Sequence, residues 1–234
     1  MHNYHDVFNR LPKAAGTNED GEPLLSWRVH ILPFIEQQNL YDQFRLDEPW
    51  DSEHNLKLAE QMPPVYRSPA SQAPPGHTNY LTIRSPESMF PPLVVNGRPA
   101  NRGTRFADVR DGLSNTVMVV EANDDSAVLW TRPDDLEPDM RIVKQIVGLH
   151  RDKIAVGFGD GAVRMLPADV DNELFLKLIS IAGGEPVGPD DVLGFDGPRD
   201  EVPLDFELKE AVEPEFEIRE PEIPVPEIRK LEIR

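Results

Sequence analysis

The sequence predicts an α+β fold in which helices come first and strands follow. Apolar residues recur at helical spacing through the first 61 positions. A β-branched run, Thr116–Glu121, is typical of a buried strand. The segment Ile154–Leu166 holds Asp160-Gly161 between two apolar runs, a pattern typical of an antiparallel hairpin because these two residues accept the backbone angles of a tight turn.

The helical part of the chain carries local start and stop signals. Met1–Leu11 predicts a short first helix. Ser26 is placed to cap a second helix, which Pro33 should kink or divide because a proline has no N–H to donate inside a helix. Ser52 is placed to cap a further helix over Glu53–Gln61.

The strand region carries similar signals. Leu93–Val95 followed by Asn96-Gly97 predicts a strand that enters a tight turn. Ala127–Thr131 is expected to be the antiparallel neighbour of Thr116–Glu121.

A last helix is predicted over Asn172–Ala182. Asp171 is placed to cap its beginning, and Gly183 is expected to end it in the left-handed conformation.

Composition excludes several classes of function. The formal net charge of -18 disfavours nucleic acid, because phosphates would repel the chain. With no cysteine, the chain has neither disulfides nor zinc–thiolate sites. It contains no apolar run of the roughly 18 residues that a bilayer requires, so we expect no direct membrane insertion.

The last part of the chain differs from the rest. Pro186–Arg234 holds 15 acidic and 6 basic residues and 8 of the 24 prolines, and Glu-Ile-Arg recurs at positions 217, 227 and 232. Frequent proline disfavours a central strand, so this segment predicts an extended, acidic, Pro-rich C-terminal tail or linker. Residues 1–185 are expected to form one domain and residues 186–234 the tail.

The order of short motifs along residues 1–185 resembles the bacterial "domain of unknown function 1559" family, whose members carry a type II secretion pseudopilin-like domain. The motifs that carry the resemblance are Asn3–Asp6, Ser26–Gln37, Leu40–Phe44, Glu48–Asn55, Met62–Tyr66, Thr78–Tyr80, Phe106–Thr116, Val119–Ala122, Trp130–Leu136, Phe158–Arg164 and Gly183–Glu185.

The resemblance implies N-terminal helices packed on an antiparallel sheet, in a surface- or secretion-associated protein that is not an enzyme. It brings no catalytic residue with it. Ser68 stands where relatives often have cysteine, so a disulfide of relatives is expected to be absent.

Relatives usually begin with a prepilin-type leader and a long apolar helix, and this chain begins inside the segment that follows that helix. We therefore expect a misassigned start, a truncated gene or a copy without its anchor. The resemblance implies a periplasmic or cell-surface location. A genuine start at Met1 would imply the cytoplasm, because no export signal is present.

Trp50, Asp51 and His54 form a compact group that offers an aromatic platform beside two polar side chains. One interpretation is a pocket for a small ligand or glycan. The favoured alternative is a helix start, in which Asp51 or Ser52 caps the helix and Trp50 packs beside it.

An oxygen-rich loop offers a candidate calcium site through four acidic residues, Asp134, Asp135, Glu137 and Asp139. Asn123–Asp125 is an equal candidate, and a solvated acidic turn is the favoured alternative. No other cofactor is expected. His2 and His5 share one helical face, where we favour packing over metal binding.

Three functional hypotheses follow. The first is a non-enzymatic structural or interaction domain that binds protein partners or self-assembles. The second is a binding module for a small solute, glycan or calcium. The third, a hydrolase, requires a serine, a histidine and an acid within hydrogen-bond reach, and we expect no such cluster.

Overall fold

A computed structural model describes residues 1–95, 98–99, 103–184 and 187–193 of this chain. Its α-helices are α1 (His2–Phe8), α2 (Trp27–His30), α3 (Gln38–Tyr41), α4 (Glu53–Leu58), α5 (Ile142–Ile146), α6 (Asn172–Ile179) and α7 (Pro189–Leu193). Its strands are β1 (Ala15–Thr17), β2 (Pro23–Ser26), β3 (His77–Thr78), β4 (Tyr80–Leu81), β5 (Val94–Val95), β6 (Arg98–Pro99), β7 (Val117–Glu121), β8 (Val128–Leu129), β9 (Lys153–Phe158) and β10 (Val163–Pro167). Short 3₁₀ helices join several of them. The α+β class with antiparallel sheets is thus confirmed.

The largest sheet among the described residues has four antiparallel strands in the order β10-β9-β7-β4. Helices α5 and α6 bury their apolar residues against it. Burial of this apolar surface is the main stabilising contribution of the domain. Fully buried members of this core are Ile142, Ile154, Val156, Phe158, Phe175 and Leu178.

A second apolar cluster gathers the N-terminal helices α2, α3 and α4 around Trp130. The indole of Trp130 is fully buried and donates from Nε1 to the Ala59 carbonyl at 2.9 Å. Phe44 meets the indole edge-on and Tyr66 stacks on it, both with ring centroids 5.7 Å away. A residue far along the chain thus provides the centre of the N-terminal cluster.

A third cluster joins the N-terminal segment to the sheet. Leu11 packs with Met89, Phe90 and Met118, the last of which lies on β7. The Leu11 amide also donates to the Thr104 carbonyl at 2.8 Å. Apolar contact and a backbone hydrogen bond together hold the segment after α1 in place.

Several local predictions are confirmed. Ser52 accepts a hydrogen bond from the Asn55 amide, and Asp171 accepts from the amides of Glu173 and Leu174. The predicted hairpin forms from β9 and β10, and Gly161 adopts a φ of 88° in its turn. Helix α2 ends at His30, and Pro33 lies in the first turn of a separate 3₁₀ helix over Leu32–Ile35, so the predicted helix is divided.

The predicted neighbour of the β7 segment is wrong. Segment Ala127–Thr131 contributes β8, which pairs with β3, whereas β7 lies between β4 and β9. The Trp130 amide donates to Gly76, and the Ser26 amide donates to Thr131. These bonds direct the segment towards the N-terminal cluster and away from β7.

The predicted end of the last helix is also wrong. Helix α6 ends at Ile179, and Ser180 is extended with ψ 138°. Ile181 then donates to Glu87 and accepts from Arg110 through its backbone. Because these bonds take up the backbone after Ser180, Gly183 does not serve as the helix cap.

One compact unit extends from Met1 to Asp196, and α7 lies against β10 within it. The predicted turn at Asn96-Gly97 and the acidic repeats beyond residue 193 lie outside the described residues. Within the described part of the chain, no helix combines the length and apolar character needed to cross a bilayer.

Candidate functional site

A buried ion pair joins Arg28 of α2 and Asp135, which follows β8. The two side chains are fully buried, with Nη2 and Oδ1 2.9 Å apart. Arg28 also donates from Nε and Nη2 to the Tyr80 carbonyl. Oδ1 of Asp135 further accepts from Trp27 Nε1 and from the Thr82 amide. The pair therefore ties α2 to the segment around β4.

Burial and charge act on Arg28 in opposite directions. Burial lowers the pKa of the guanidinium, and the negative charge of Asp135 opposes that shift. Guanidinium remains protonated in proteins, so this is a buried pair of full charges. Such a pair is costly to form but even more costly to break, because removing one charge leaves the other without a counterion.

The four carboxylates of the predicted calcium loop have separate surroundings. Asp134 pairs with Arg132 at 2.6 Å, and Asp139 accepts from the Arg141 amide at 2.7 Å. Asp135 belongs to the buried pair, and Glu137 is exposed. Among the described residues, no group of three or more histidine and acidic residues could hold a metal. The calcium site stays a prediction.

The alternative calcium segment is held by protein donors. Asp124 accepts from Ser71 Oγ at 2.5 Å, from the Gln72 amide at 2.9 Å and from Asn79 Nδ2 at 3.0 Å. The hydrogen bond from Ser71 is the main reason that the pKa of Asp124 is lowered. This carboxylate therefore anchors the segment before β3.

The group of Trp50, Asp51 and His54 lies at the start of α4. Trp50 is half-buried against the N-terminal cluster, with the guanidinium carbon of Arg132 5.2 Å from its ring centroid. His54 Nε2 lies 2.8 Å from the Gln43 carbonyl oxygen, and Asp51 is exposed. Ser52, between them, caps the helix, in agreement with the alternative interpretation. A ligand pocket formed by this group stays a prediction.

His2 and His5 both contact Phe106. The His5 ring stacks on it with centroids 3.9 Å apart, and His5 Nε2 accepts from the Phe106 amide at 3.2 Å. The His2 ring centroid lies 5.0 Å from that of Phe106. Both rings therefore contribute to packing between α1 and the segment that holds Phe106.

A serine, an acid and a histidine do converge, contrary to our expectation. Ser68 Oγ donates to Glu121 Oε1, and His150 Nε2 lies 2.6 Å from Glu121 Oε2. The carboxylate occupies the middle of this chain, whereas a catalytic triad needs the histidine there to take the serine proton. Ser68 is also buried. The order of the three groups does not activate Ser68 as a nucleophile.

A pocket of about 380 Å³ lies beside α1. We call it the His30 pocket; its lining residues include Tyr4, Arg10, Lys13, Gly16 and His30. No motif indicated it, since its residues come from α1, the segment after it, β1 and α2. His30 Nε2 is buried without a hydrogen-bond partner among the described residues. Burial and the nearby Lys13 charge lower the pKa of His30 to about 4, so it is neutral at pH 7.

The lowered pKa of His30 predicts that the folded protein loses stability in acid. The unfolded chain takes up a proton near pH 6.5, whereas folded His30 resists protonation until about pH 4. Its contribution is therefore fully present above pH 6.5 and is lost as pH falls towards 4, by about 2–3 kcal/mol. Urea denaturation at several pH values checks this.

Two variants isolate the contribution of His30 to this acid-dependent loss of stability. His30→Gln should lose less stability than wild type between pH 6.5 and 4, whereas His77→Gln, which replaces a half-buried histidine on β3, should follow wild type. Equal acid sensitivity of wild type and His30→Gln would contradict the assignment.

The fold and its polar groups define a small α+β domain in which motif residues such as Arg28 and Asp135 bind each other. The chain belongs to the family described as protein of unknown function (DUF1559), whose profile matches residues 1–153. This match confirms the family inferred from the sequence. Neither the comparison with curated proteins nor the comparison with solved structures found a match.

Proposed function

We propose that this chain is a non-enzymatic interaction domain of a pseudopilin-like, secretion-associated surface assembly, and that it associates with a second copy through α1. The motif resemblance supports the secretion-associated class and a periplasmic or cell-surface location. The chemistry of the buried motif residues and the surface of α1 support the rest.

One observation carries the proposal: α1 exposes apolar side chains and buries none of its residues. Val7 is 65% exposed and Phe8 is 51% exposed. Exposed apolar side chains favour association, because contact removes them from water.

Charge favours a second copy at this surface. The chain carries a net charge of -18, so two copies repel each other over most of their surfaces. Helix α1 holds only one acidic residue, Asp6, and two histidines. Two copies therefore meet with less repulsion at α1 than at the strongly acidic parts of the chain. The same charge argues against a nucleic-acid partner.

The contacts that the polar side chains make within the domain support a non-enzymatic role. Arg28 and Asp135 bind each other out of reach of solvent. Ser68 and His150 are separated by the carboxylate of Glu121. These groups stabilise the fold and have no geometry for nucleophilic catalysis.

Sedimentation velocity of the full chain tests the proposal. We expect wild type to show concentration-dependent association up to about 100 µM, and Val7→Glu to weaken it by about tenfold or more. The charge would be placed within the apolar contact, where burial is costly.

Val163→Glu is the matched control. Val163 is also an exposed valine, at 72%, but it lies on β10. This variant should associate as wild type does. A wild type that stays monomeric, or an equal effect of the two substitutions, would remove α1 as the contact surface.

A further inference from the structure

We propose that the His30 pocket binds a small carboxylate with an aromatic body. This inference goes beyond association through α1, and it concerns a pocket that no sequence motif predicted. It rests on the charges that line the pocket, an unpaired buried nitrogen, a glycine packed against that nitrogen and two aromatic side chains.

The charged side chains that line the pocket are basic. Arg10 and Lys13 line it, and among the described residues no acidic side chain does so. This is unusual in a chain with 42 acidic and 24 basic residues. Arg10 makes no ion pair within 4 Å among the described residues, and its charge helps to lower the pKa of Asp108. Lys13 Nζ makes a weak hydrogen bond of 3.3 Å to Thr17. Because no carboxylate holds either cation in close contact in this part of the structure, both are available to an anionic ligand.

His30 gives the pocket an unsatisfied polar atom. Its Nε2 is buried and has no partner in the described part of the chain. A buried polar group without a hydrogen bond costs about 1–3 kcal/mol, which a ligand group at hydrogen-bond distance would recover. Because His30 is neutral at pH 7, a hydrogen bond to its Nε2 would orient a ligand without adding a charge to the pocket.

Gly16 lets β1 pass close to the His30 ring. A Cβ atom at this position would lie 2.9 Å from Nε2 and 3.3 Å from Cε1 of His30. Any larger residue would crowd this nitrogen. A side chain at this point in β1 would therefore displace the His30 ring from its position in the pocket lining.

Part of the pocket lining is aromatic. Tyr4 and Phe8 line the pocket, with ring centroids 4.5 Å apart. The pocket volume of about 380 Å³ is at the lower end for small-molecule sites. A ligand whose aromatic ring packs on Tyr4 and Phe8, and whose carboxylate pairs with Lys13 and Arg10, would use both the apolar and the basic side chains of the lining.

Isothermal titration of the full chain with phenylacetate tests the proposal against phenylacetamide, its uncharged analogue. We expect phenylacetate to bind with a dissociation constant of about 0.1–1 mM. The affinity for phenylacetamide should be lower by about tenfold or more. Lys13→Met should weaken phenylacetate binding by about tenfold, since it removes a charge-assisted contact.

Two further variants complete the experiment. Lys57→Met removes an exposed lysine that pairs with Glu53 on α4, and it should bind as wild type does. Gly16→Ala should weaken binding without removing a charge, and it serves as the test should Lys13→Met not fold. Circular dichroism and thermal melting verify each fold.

Three results would overturn the proposal. They are no binding of phenylacetate at about 10 mM, equal binding of the acid and the amide, and binding unchanged in both Lys13→Met and Gly16→Ala. Phe8 belongs both to the exposed surface of α1 and to the pocket, whereas Val7 does not line the pocket. Because Val7→Glu tests association and Lys13→Met tests the pocket, the two experiments can fail separately.

Discussion

Replacing Asp135 with asparagine is expected to lower the free energy of unfolding by about 3–5 kcal/mol. Asparagine has almost the same shape, and its oxygen can still accept from Trp27, Arg28 and the Thr82 amide. What it removes is the counterion of a fully buried guanidinium. Urea denaturation, monitored by circular dichroism, measures the change.

A neighbouring pair supplies the control. Asp134 pairs with Arg132, and their side chains are 40% and 50% exposed. Exposed pairs contribute about 0–1 kcal/mol, so Asp134→Asn should have little effect. Equal effects of the two substitutions would contradict a buried ion pair at Asp135.

The double variant Arg28→Met/Asp135→Asn separates charge from shape. Each single substitution leaves one unpaired buried charge, whereas the double variant leaves none. It should therefore lose clearly less stability than the two single losses added together. Additive losses would mean that the two side chains are not coupled.

Replacing Trp130 with alanine is expected to cost about 3–5 kcal/mol, the range for deleting a large buried side chain. The substitution leaves a cavity between Phe44 and Tyr66 and removes the donor to the Ala59 carbonyl. Thermal and urea denaturation should both show the loss, with a lower melting temperature.

Trp50→Ala is the comparison for size and residue type. Trp50 is half-buried and packs at the edge of the same cluster, so its loss should cost less. If Trp50→Ala were the more destabilising of the two, Trp130 would not be the centre of the N-terminal cluster.

The elements that the sequence predicted well depend on local chemistry. The caps at Ser52 and Asp171 bond amides two or three residues away, and the turn at Gly161 needs only its own φ. Such features follow from neighbouring residues and can be inferred without the rest of the fold.

The wrong predictions concern segments whose backbone groups bond residues that are distant in the sequence. β8 pairs with β3 because Trp130 must reach a cluster formed by residues about a hundred positions earlier. The end of α6 is set by Ile181, which bonds Glu87 and Arg110. No local pattern indicates which distant carbonyl or amide will be available.

The polar sites were missed for the same reason. The sequence predicts Asp135 as one carboxylate ligand of a calcium loop, whereas its ion-pair partner, Arg28, lies 107 residues away on α2. A signal was available: Arg28 sits in an apolar helix beside Trp27, where an arginine needs a buried acid. The His30 pocket draws on several separate elements, and only the folded chain brings them together.

Cross-linking at position 7 tests the central claim, self-association through α1, most directly. The chain has no cysteine, so Val7→Cys and Val163→Cys each carry a single thiol. With a short bismaleimide, Val7→Cys should give covalent dimers in good yield, and Val163→Cys should give few. Equal yields at both positions, or no dimer at position 7, would contradict association through this helix.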